Sequence, residues 1–130
     1  MIVAVDDDSR VRESIESLLD SAGYAPLVFA SGADFLESGS LGQASCLITD
    51  VRLPGMHGIE LQRRVRRQRP ELPIIFISAF QDDEIQKRAL DGGAIQFLYK
   101  PYNAAALLRT IDAVMNRTSD GDPQFRSGYG

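Results

Sequence analysis

Short apolar runs alternate with longer amphipathic stretches along the first 117 residues. The runs are Ile2–Val5, Pro26–Ala30, Cys46–Thr49, Ile74–Ser78 and Ile95–Tyr99. They are rich in β-branched or aromatic residues and apolar on consecutive positions rather than on every second one. That is the pattern of strands buried on both faces of a parallel sheet. The stretches between them read as helices. Val11, Ile15, Leu18, Leu19 and Ala22 recur at helical spacing, with Ser9 placed to cap the start and Gly23 to end the helix. Ala104, Leu107, Leu108, Ile111 and Val114 form the last stripe, opened by Asn103 as a cap. Phe35 and Leu36 anchor a short second helix, and Leu61 and Val65 a polar third. Ile85 and Ala89 anchor a fourth, which Gly92 and Gly93 terminate.

Repeated strand–helix alternation predicts an α/β fold, with right-handed crossovers covering both faces of a parallel sheet. Five strands suit the doubly wound order 2-1-3-4-5, an order borrowed from known sheets of this kind rather than derived from the residues. In such sheets the site lies beyond the carboxyl ends of the strands, where the order reverses between strands 1 and 3. After about Arg117 the pattern gives way to "TSDGDPQFRSGYG". Residues 1–117 are therefore expected to form one domain, and 118–130 a flexible tail or the start of an interdomain linker.

Composition narrows this picture without changing it. A chain of 130 residues suits one hydrophobic core, and 44% hydrophobic with 25% charged residues is ordinary for a globular protein. A net charge of −4 argues against a surface designed as a whole to hold nucleic acid. The single cysteine, Cys46, excludes an intramolecular disulfide and is expected to pack as a small hydrophobe. The apolar runs are far too short to span a membrane, and "MIVAVDDD" has no basic start, so the cytoplasm is the expected location.

The chemistry collects at one edge. Strand 1 ends in Asp6, Asp7 and Asp8, strand 3 in Asp50 and strand 4 in Ser78, and strand 5 is followed by Lys100 and Pro101. Each has a bland reading as a helix cap, a turn or a solvated lysine. With the expected topology, however, two or three of the carboxylates, the hydroxyl and the ammonium converge on one pocket. Clustered carboxylates repel one another and lose hydration. A hard divalent cation relieves this, and Mg²⁺ suits one or two carboxylates plus water and phosphate oxygens. A carboxylate can attack phosphorus to give an acyl phosphate, whose oxygens then need positive charge and hydrogen-bond donors. Asp50, alone at the tip of the central strand, is the best candidate nucleophile.

On "VDDD" (5–8), "LITDVRLPGMHG" (47–58), "PIIFISA" (73–79) and "FLYKPYN" (97–103), the chain resembles the receiver domain of two-component response regulators, most closely the nitrogen-fixation and nitrate regulator type. The resemblance covers essentially residues 1–117 and implies a flavodoxin-like (βα)5 fold. It implies that Asp50 is the phosphoacceptor. It also implies that Mg²⁺ is held by Asp7, Asp50 and the backbone carbonyl of Arg52, with Asp6 holding metal-bound water. Ser78 falls at the hydroxyl switch position, Phe97 at the aromatic switch position, and Lys100 at the phosphate-binding lysine. Asp8 is left as a helix-cap candidate, and the Lys100–Pro101 peptide is expected to be cis. The implied partner is a sensor histidine kinase acting as phosphodonor. The implied output is a change in partner binding on the face made by helix 4, strand 5 and helix 5, with possible homodimerisation there. Control of transcription would run through an output domain outside this chain. Such a domain is a switch that catalyses only its own phosphorylation and dephosphorylation, not a metabolic enzyme.

Two other classes fit less well. A small Mg²⁺-dependent aspartyl-phosphate phosphatase or phosphotransferase usually carries its nucleophile on strand 1 and needs a cap over its substrate. A flavodoxin-like cofactor binder needs a hydroxyl- and glycine-rich phosphate loop where this chain has "DDDSR"; the P-loop and dinucleotide fingerprints are also absent. Remaining features carry milder expectations. "LQRRVRRQRP" is expected to be a solvated basic helix face without nucleic-acid binding. His57 is expected to be a solvated loop histidine. Arg52 and Phe80, each two residues past a site residue, are candidates to set the lifetime of an aspartyl phosphate.

Overall fold

The runs expected to be buried on both faces fall into two kinds, and the sheet order explains why. In the computed structural model, which describes residues 1–120 and only the backbone of 117–120, all strands are parallel and ordered β2-β1-β3-β4-β5. Strands β1 (Ile2–Val5), β3 (Cys46–Asp50) and β4 (Ile74–Ser78) lie inside and are buried at every position. Strands β2 (Pro26–Phe29) and β5 (Gln96–Tyr99) are edges and only partly covered. Each edge strand is one residue shorter than its apolar run: Ala30 falls outside β2, and Ile95, 43% exposed, precedes β5.

Successive side chains of a strand point to opposite faces, so each inner strand feeds two cores. Val3, Val5, Leu47 and Phe76 pack with Phe35, Leu61, Val65 and Ala89 from α2 (Gly32–Glu37), α3 (Gly58–Gln68) and α4 (Asp83–Asp91). Ile2, Ala4, Ile48, Ile75 and Ile77 pack with Ile15, Leu19, Leu107 and Ile111 from α1 (Ser9–Ser21) and α5 (Ala104–Asp120). Burying each large apolar side chain contributes roughly 1.5–3 kcal/mol. These two layers clamp the sheet, while its carboxyl edge stays open. Cys46 is fully buried as expected, and burial pushes its thiol up to about 12.

Local signals set most helix ends. Asn103 Oδ1 accepts from the Ala106 N–H at 2.9 Å, and Ser31 Oγ from the Asp34 N–H at 3.1 Å. Gly23 follows α1 with φ +89°, a conformation that favours glycine. Of the two cap candidates for α1 it is Asp8 that serves, with extended backbone and its Oδ1 accepting from the Arg10 N–H at 2.9 Å, whereas Ser9 is already helical. An ionised cap at a helix N-terminus is favoured by the helix dipole as well as by the hydrogen bond. Helix α5 continues through Asp120, past the expected boundary at 117. The rest of the expected tail, residues 121–130, lies outside the described residues.

The arginine run is not simply a solvated face. Arg63 and Arg64 are exposed and pair with Glu60 at 3.5 and 3.0 Å, contacts that contribute little. Arg66 and Arg69 instead tie the fold together. The Arg66 guanidinium donates to the carbonyls of Leu72 (2.6 Å), Gly93 (2.9 Å) and Gly92 (3.2 Å). Arg69 Nη1 donates to those of Leu41 (2.8 Å) and Ala44 (3.2 Å). Carbonyls at helix ends and in loops lack partners of their own, and a guanidinium can satisfy several at once.

One glycine brings α3 against the site. Gly58 donates its N–H to the Val51 carbonyl at 2.7 Å, and a Cβ there would lie 2.4 Å from the Asp50 carbonyl oxygen. Only a residue without a side chain lets α3 start this close to the end of β3. Gly58→Ala is expected to cost about 1–3 kcal/mol by overpacking. Urea denaturation reads this directly, and an unchanged midpoint would mean that the start of α3 shifts freely.

Candidate functional site

The carboxyl ends of β1, β3, β4 and β5 bring the expected residues to one edge of the sheet. Asp6 follows β1 directly. Its N–H bonds to the Phe29 carbonyl at 3.1 Å, so β2 fixes it as firmly as a strand residue. The side chain is 2% exposed; Oδ1 accepts from the Asp8 N–H at 2.9 Å and Oδ2 from Lys100 Nζ at 2.9 Å. Asp50 ends β3 and is also buried. Its Oδ1 accepts from the Arg52 N–H at 3.3 Å and its Oδ2 from Lys100 Nζ at 3.1 Å. Asp7 is exposed. Carboxylate oxygens of Asp6, Asp7 and Asp50 lie within 4.8 Å of one another.

Lys100 reaches the pocket because its backbone N–H bonds to the Ser78 carbonyl at 2.7 Å, extending the β4–β5 pairing by one residue. The Lys100–Pro101 peptide is cis, as expected. Ser78 is buried; its Oγ donates to the Phe80 carbonyl at 2.9 Å and accepts from the Phe80 N–H at 3.1 Å. Phe97 is half-buried and lies between Phe76 (5.9 Å between ring centroids) and Tyr99 (5.3 Å). Arg52 stacks its guanidinium over the Phe80 ring at 4.2 Å, and Phe80 is itself 54% exposed. A cavity of about 220 Å³, lined by Val51, Arg52, His57, Ser78, Phe80, Asp82 and Ile85, lies beneath this pair.

The charges do not balance. Three carboxylates face one ammonium, a formal excess of −2 when all are ionised (−3 + 1). Like charges less than 5 Å apart repel by about 3–4 kcal/mol at the effective dielectric of such sites. Burial pushes the Asp6 pKa above its ordinary 3.8, against the pull of its hydrogen bonds to Asp8 and Lys100. Burial opposes the Lys100 charge, but the hydrogen bonds to Asp6 and Asp50 outweigh it, and the ammonium lies above its ordinary 10.5. A cluster of hard carboxylate oxygens with excess negative charge fits a hard divalent cation such as Mg²⁺.

Several contributors went unread in the sequence. His57 is exposed but caps α3, its Nδ1 accepting from the Ile59 N–H at 3.2 Å. Gln62, 2% exposed, donates Nε2 to the Ala89 carbonyl at 2.8 Å. Tyr99 donates its hydroxyl to Gln86 Oε1 of α4 at 2.6 Å. Arg12 donates to the Asp6 carbonyl at 2.7 Å. Histidine is an uncommon cap, and the other partners lie on separate elements, so spacing along the chain gives them no signal.

A doubly wound sheet that gathers three aspartates, a serine and a lysine at its switch point defines a receiver-type signalling domain. The comparisons with known proteins agree. The family model for the response regulator receiver domain matches residues 2–112. The chain is 37% identical to nodulation protein W of Bradyrhizobium diazoefficiens, covering 90% of this chain and 52% of that protein. It is 34% identical to the transcriptional regulatory protein FixJ of Azorhizobium caulinodans, covering 89% and 55%. A crystal structure of a response regulator receiver domain protein from Clostridium thermocellum superposes with a TM-score of 0.84 at 26% identity, covering 91% of this chain and 95% of that one. The chain belongs to the response regulator receiver domain family, and the FixJ type is among its relatives. It is a signalling switch of two-component systems, and it spans about half the length of the curated relatives it matches. Among the described residues no helix is long and apolar enough to cross a membrane.

The raised Asp6 pKa sets a pH dependence with a definite sign. The folded chain holds this proton more tightly than the unfolded chain. The stabilisation is therefore complete below 3.8 and is lost as pH rises through the raised folded value. Compared without metal, Asp6→Asn should gain stability relative to wild type as pH climbs above about 4. Urea midpoints of both proteins across pH 3.5 to 8 measure this, and a flat or falling difference contradicts it.

Proposed function

We propose that this domain accepts a phosphoryl group on Asp50 from a sensor histidine kinase and changes partner binding as a result. The observation that carries this reading is the Lys100 ammonium held between Asp6 and Asp50, with Asp7 beside them. Mg²⁺, held by Asp7, Asp50 and the Arg52 carbonyl with Asp6 on its bound water, would supply the positive charge that the carboxylates and incoming phosphoryl oxygens need. An Asp50 carboxylate oxygen attacks phosphorus in line. The new O–P bond forms as the N–P bond of the phosphohistidine breaks, and the imidazole leaves with that electron pair. Lys100 then exchanges its bond to Asp50 for one to a phosphoryl oxygen. The groove of about 500 Å³ lined by Lys100 with Val11, Leu18, Pro101 and Tyr102 among others offers the kinase an apolar seat beside the lysine that bonds to the acceptor.

The switch uses groups already poised. Ser78 gives up its turn to Phe80 to donate to the phosphoryl group, and Phe97 packs inward. The two states differ by these phosphate contacts, as a population shift requires. The face of α4, β5 and α5, which carries the exposed Leu90 and Ile95, then changes its preference for partners, a second copy of the domain included. Control of transcription runs through an output domain outside this chain, the domain itself makes no nucleic-acid contact, and the protein acts in the cytoplasm. The Arg52–Phe80 stack supports a role in lifetime, because these two side chains, each two residues beyond a site residue, pack on one another beside Ser78.

Incubation with acetyl phosphate, followed by intact mass, tests the acceptor. Wild type with Mg²⁺ should gain one phosphoryl group, while Asp50→Asn, or wild type without Mg²⁺, should gain none. An adduct on Asp50→Asn would refute the assignment. For the lifetime, Phe80→Gly should lose its phosphoryl group about tenfold faster, equivalent to about 1.4 kcal/mol in barrier. An unchanged decay rate, followed by phosphate release, would remove Phe80 from that role.

A further inference from the structure

We propose that Arg12 is a positioning residue for the acidic pair, holding the Asp6–Asp7 peptide in the orientation that aims Asp7 into the pocket; the inference rests on the reading that this pocket holds Mg²⁺. Arg12 lies in the first turn of α1, half-buried, and its Nη1 donates to the Asp6 carbonyl at 2.7 Å. No other hydrogen bond reaches that carbonyl among the described residues. It belongs to the peptide that joins the two aspartates. The remaining groups around it have other partners: the Asp6 N–H is taken by β2, and the Asp6 carboxylate by Asp8 and Lys100. Asp7 differs. Its side chain makes no hydrogen bond or ion pair among the described residues, so the peptide before it is what places its Cα–Cβ bond.

The placement of Arg12 is poorly explained by helix stability. A cation near a helix N-terminus opposes the helix dipole, and the Asp8 cap that could offset it is paired with Arg10 instead. Its neighbour Arg10 pairs with the Asp8 cap, but among the described residues Arg12 has no carboxylate partner and spends its hydrogen bond on the loop. The tie crosses from the helix back to the strand end. It converts a short acidic loop, whose charges would push it open, into one with a fixed peptide plane.

Charge and positioning predict opposite signs. A guanidinium near the pocket repels a divalent cation, so removing it should tighten Mg²⁺ binding if charge alone matters. Removing a partner that orients a metal ligand weakens binding instead, by tenfold or more in comparable sites. Isothermal titration of MgCl₂ into wild type, Arg12→Met and Arg12→Lys separates these. Arg12→Met keeps most of the stem's packing, and thermal melts establish that each variant is folded. Arg12→Met should bind Mg²⁺ about tenfold more weakly, and Arg12→Lys, which keeps a donor, should recover most of the loss. Unchanged or tighter binding by folded Arg12→Met overturns the inference, as does equal weakening in Arg12→Lys. Should Arg12→Met not fold, the sign for Arg12→Lys decides: affinity below wild type by less than tenfold supports the inference, and affinity equal to or above wild type overturns it. Wild type that binds no Mg²⁺, with Asp7→Asn as the matched control, would overturn the pocket reading itself and the inference with it.

Discussion

The ammonium of Lys100 sits between two buried carboxylates, 2.9 Å from Asp6 and 3.1 Å from Asp50, and the rest of the carboxyl edge is organised around it. Without this cation, β1 and β3 would end in facing negative charges with little water to screen them. With it, two strands from opposite sides of the topological switch are tied to the end of β5, 94 and 50 residues away in sequence. The tie is incomplete, because Asp7 adds a third carboxylate that Lys100 does not neutralise. A pocket left short of positive charge attracts a cation. A lysine shared between two carboxylates can be redirected when one of them is modified. Stability here is traded for readiness to bind.

The route from pocket to surface is short. Ser78 and Phe80 exchange two hydrogen bonds at the end of β4, and α4 begins a few residues later under an Asp82 cap. Helix α4 is held unevenly. Its C-terminal end is bound to α3 through Gln62 and Arg66, and a Cβ at Gly92 would meet Gln62 at 2.9 Å. Nearer its N-terminus, the polar tie is the Tyr99–Gln86 hydrogen bond to β5. An element pinned at one end and lightly held at the other suits a surface that must rearrange. Relatives that extend to about twice this length include transcriptional regulatory proteins by name.

Much of the architecture was legible along the chain. Consecutive apolar runs, helical stripes, the Asn103 cap and the Gly23 stop mark the elements, since each depends on residues a few positions apart. The edge chemistry was legible for a different reason. Parallel strands all point the same way, so the residues following each one must meet. Thus Asp6, Asp7, Asp50, Ser78 and Lys100 could be gathered before any coordinates. Resemblance to known receivers sharpened their roles, but not their geometry.

What the chain could not show were contacts made between elements distant in sequence. Arg66 and Arg69 read as solvated because their neighbours are charged, yet the carbonyls they satisfy come from other segments. Asp8 rather than Ser9 caps α1 because the helix already starts at Ser9, one residue earlier than a Ser9 cap would place it. His57 serves as a cap although its residue type rarely does. The exposure of β2 and β5 follows from their edge positions, which local apolarity does not encode. Short-range periodicity and the direction of parallel strands determined the fold and the membership of the site. The hydrogen bonds that aim, cap and tie those residues were decided only by tertiary structure, because a polar group's partner depends on what folding brings within 3 Å of it.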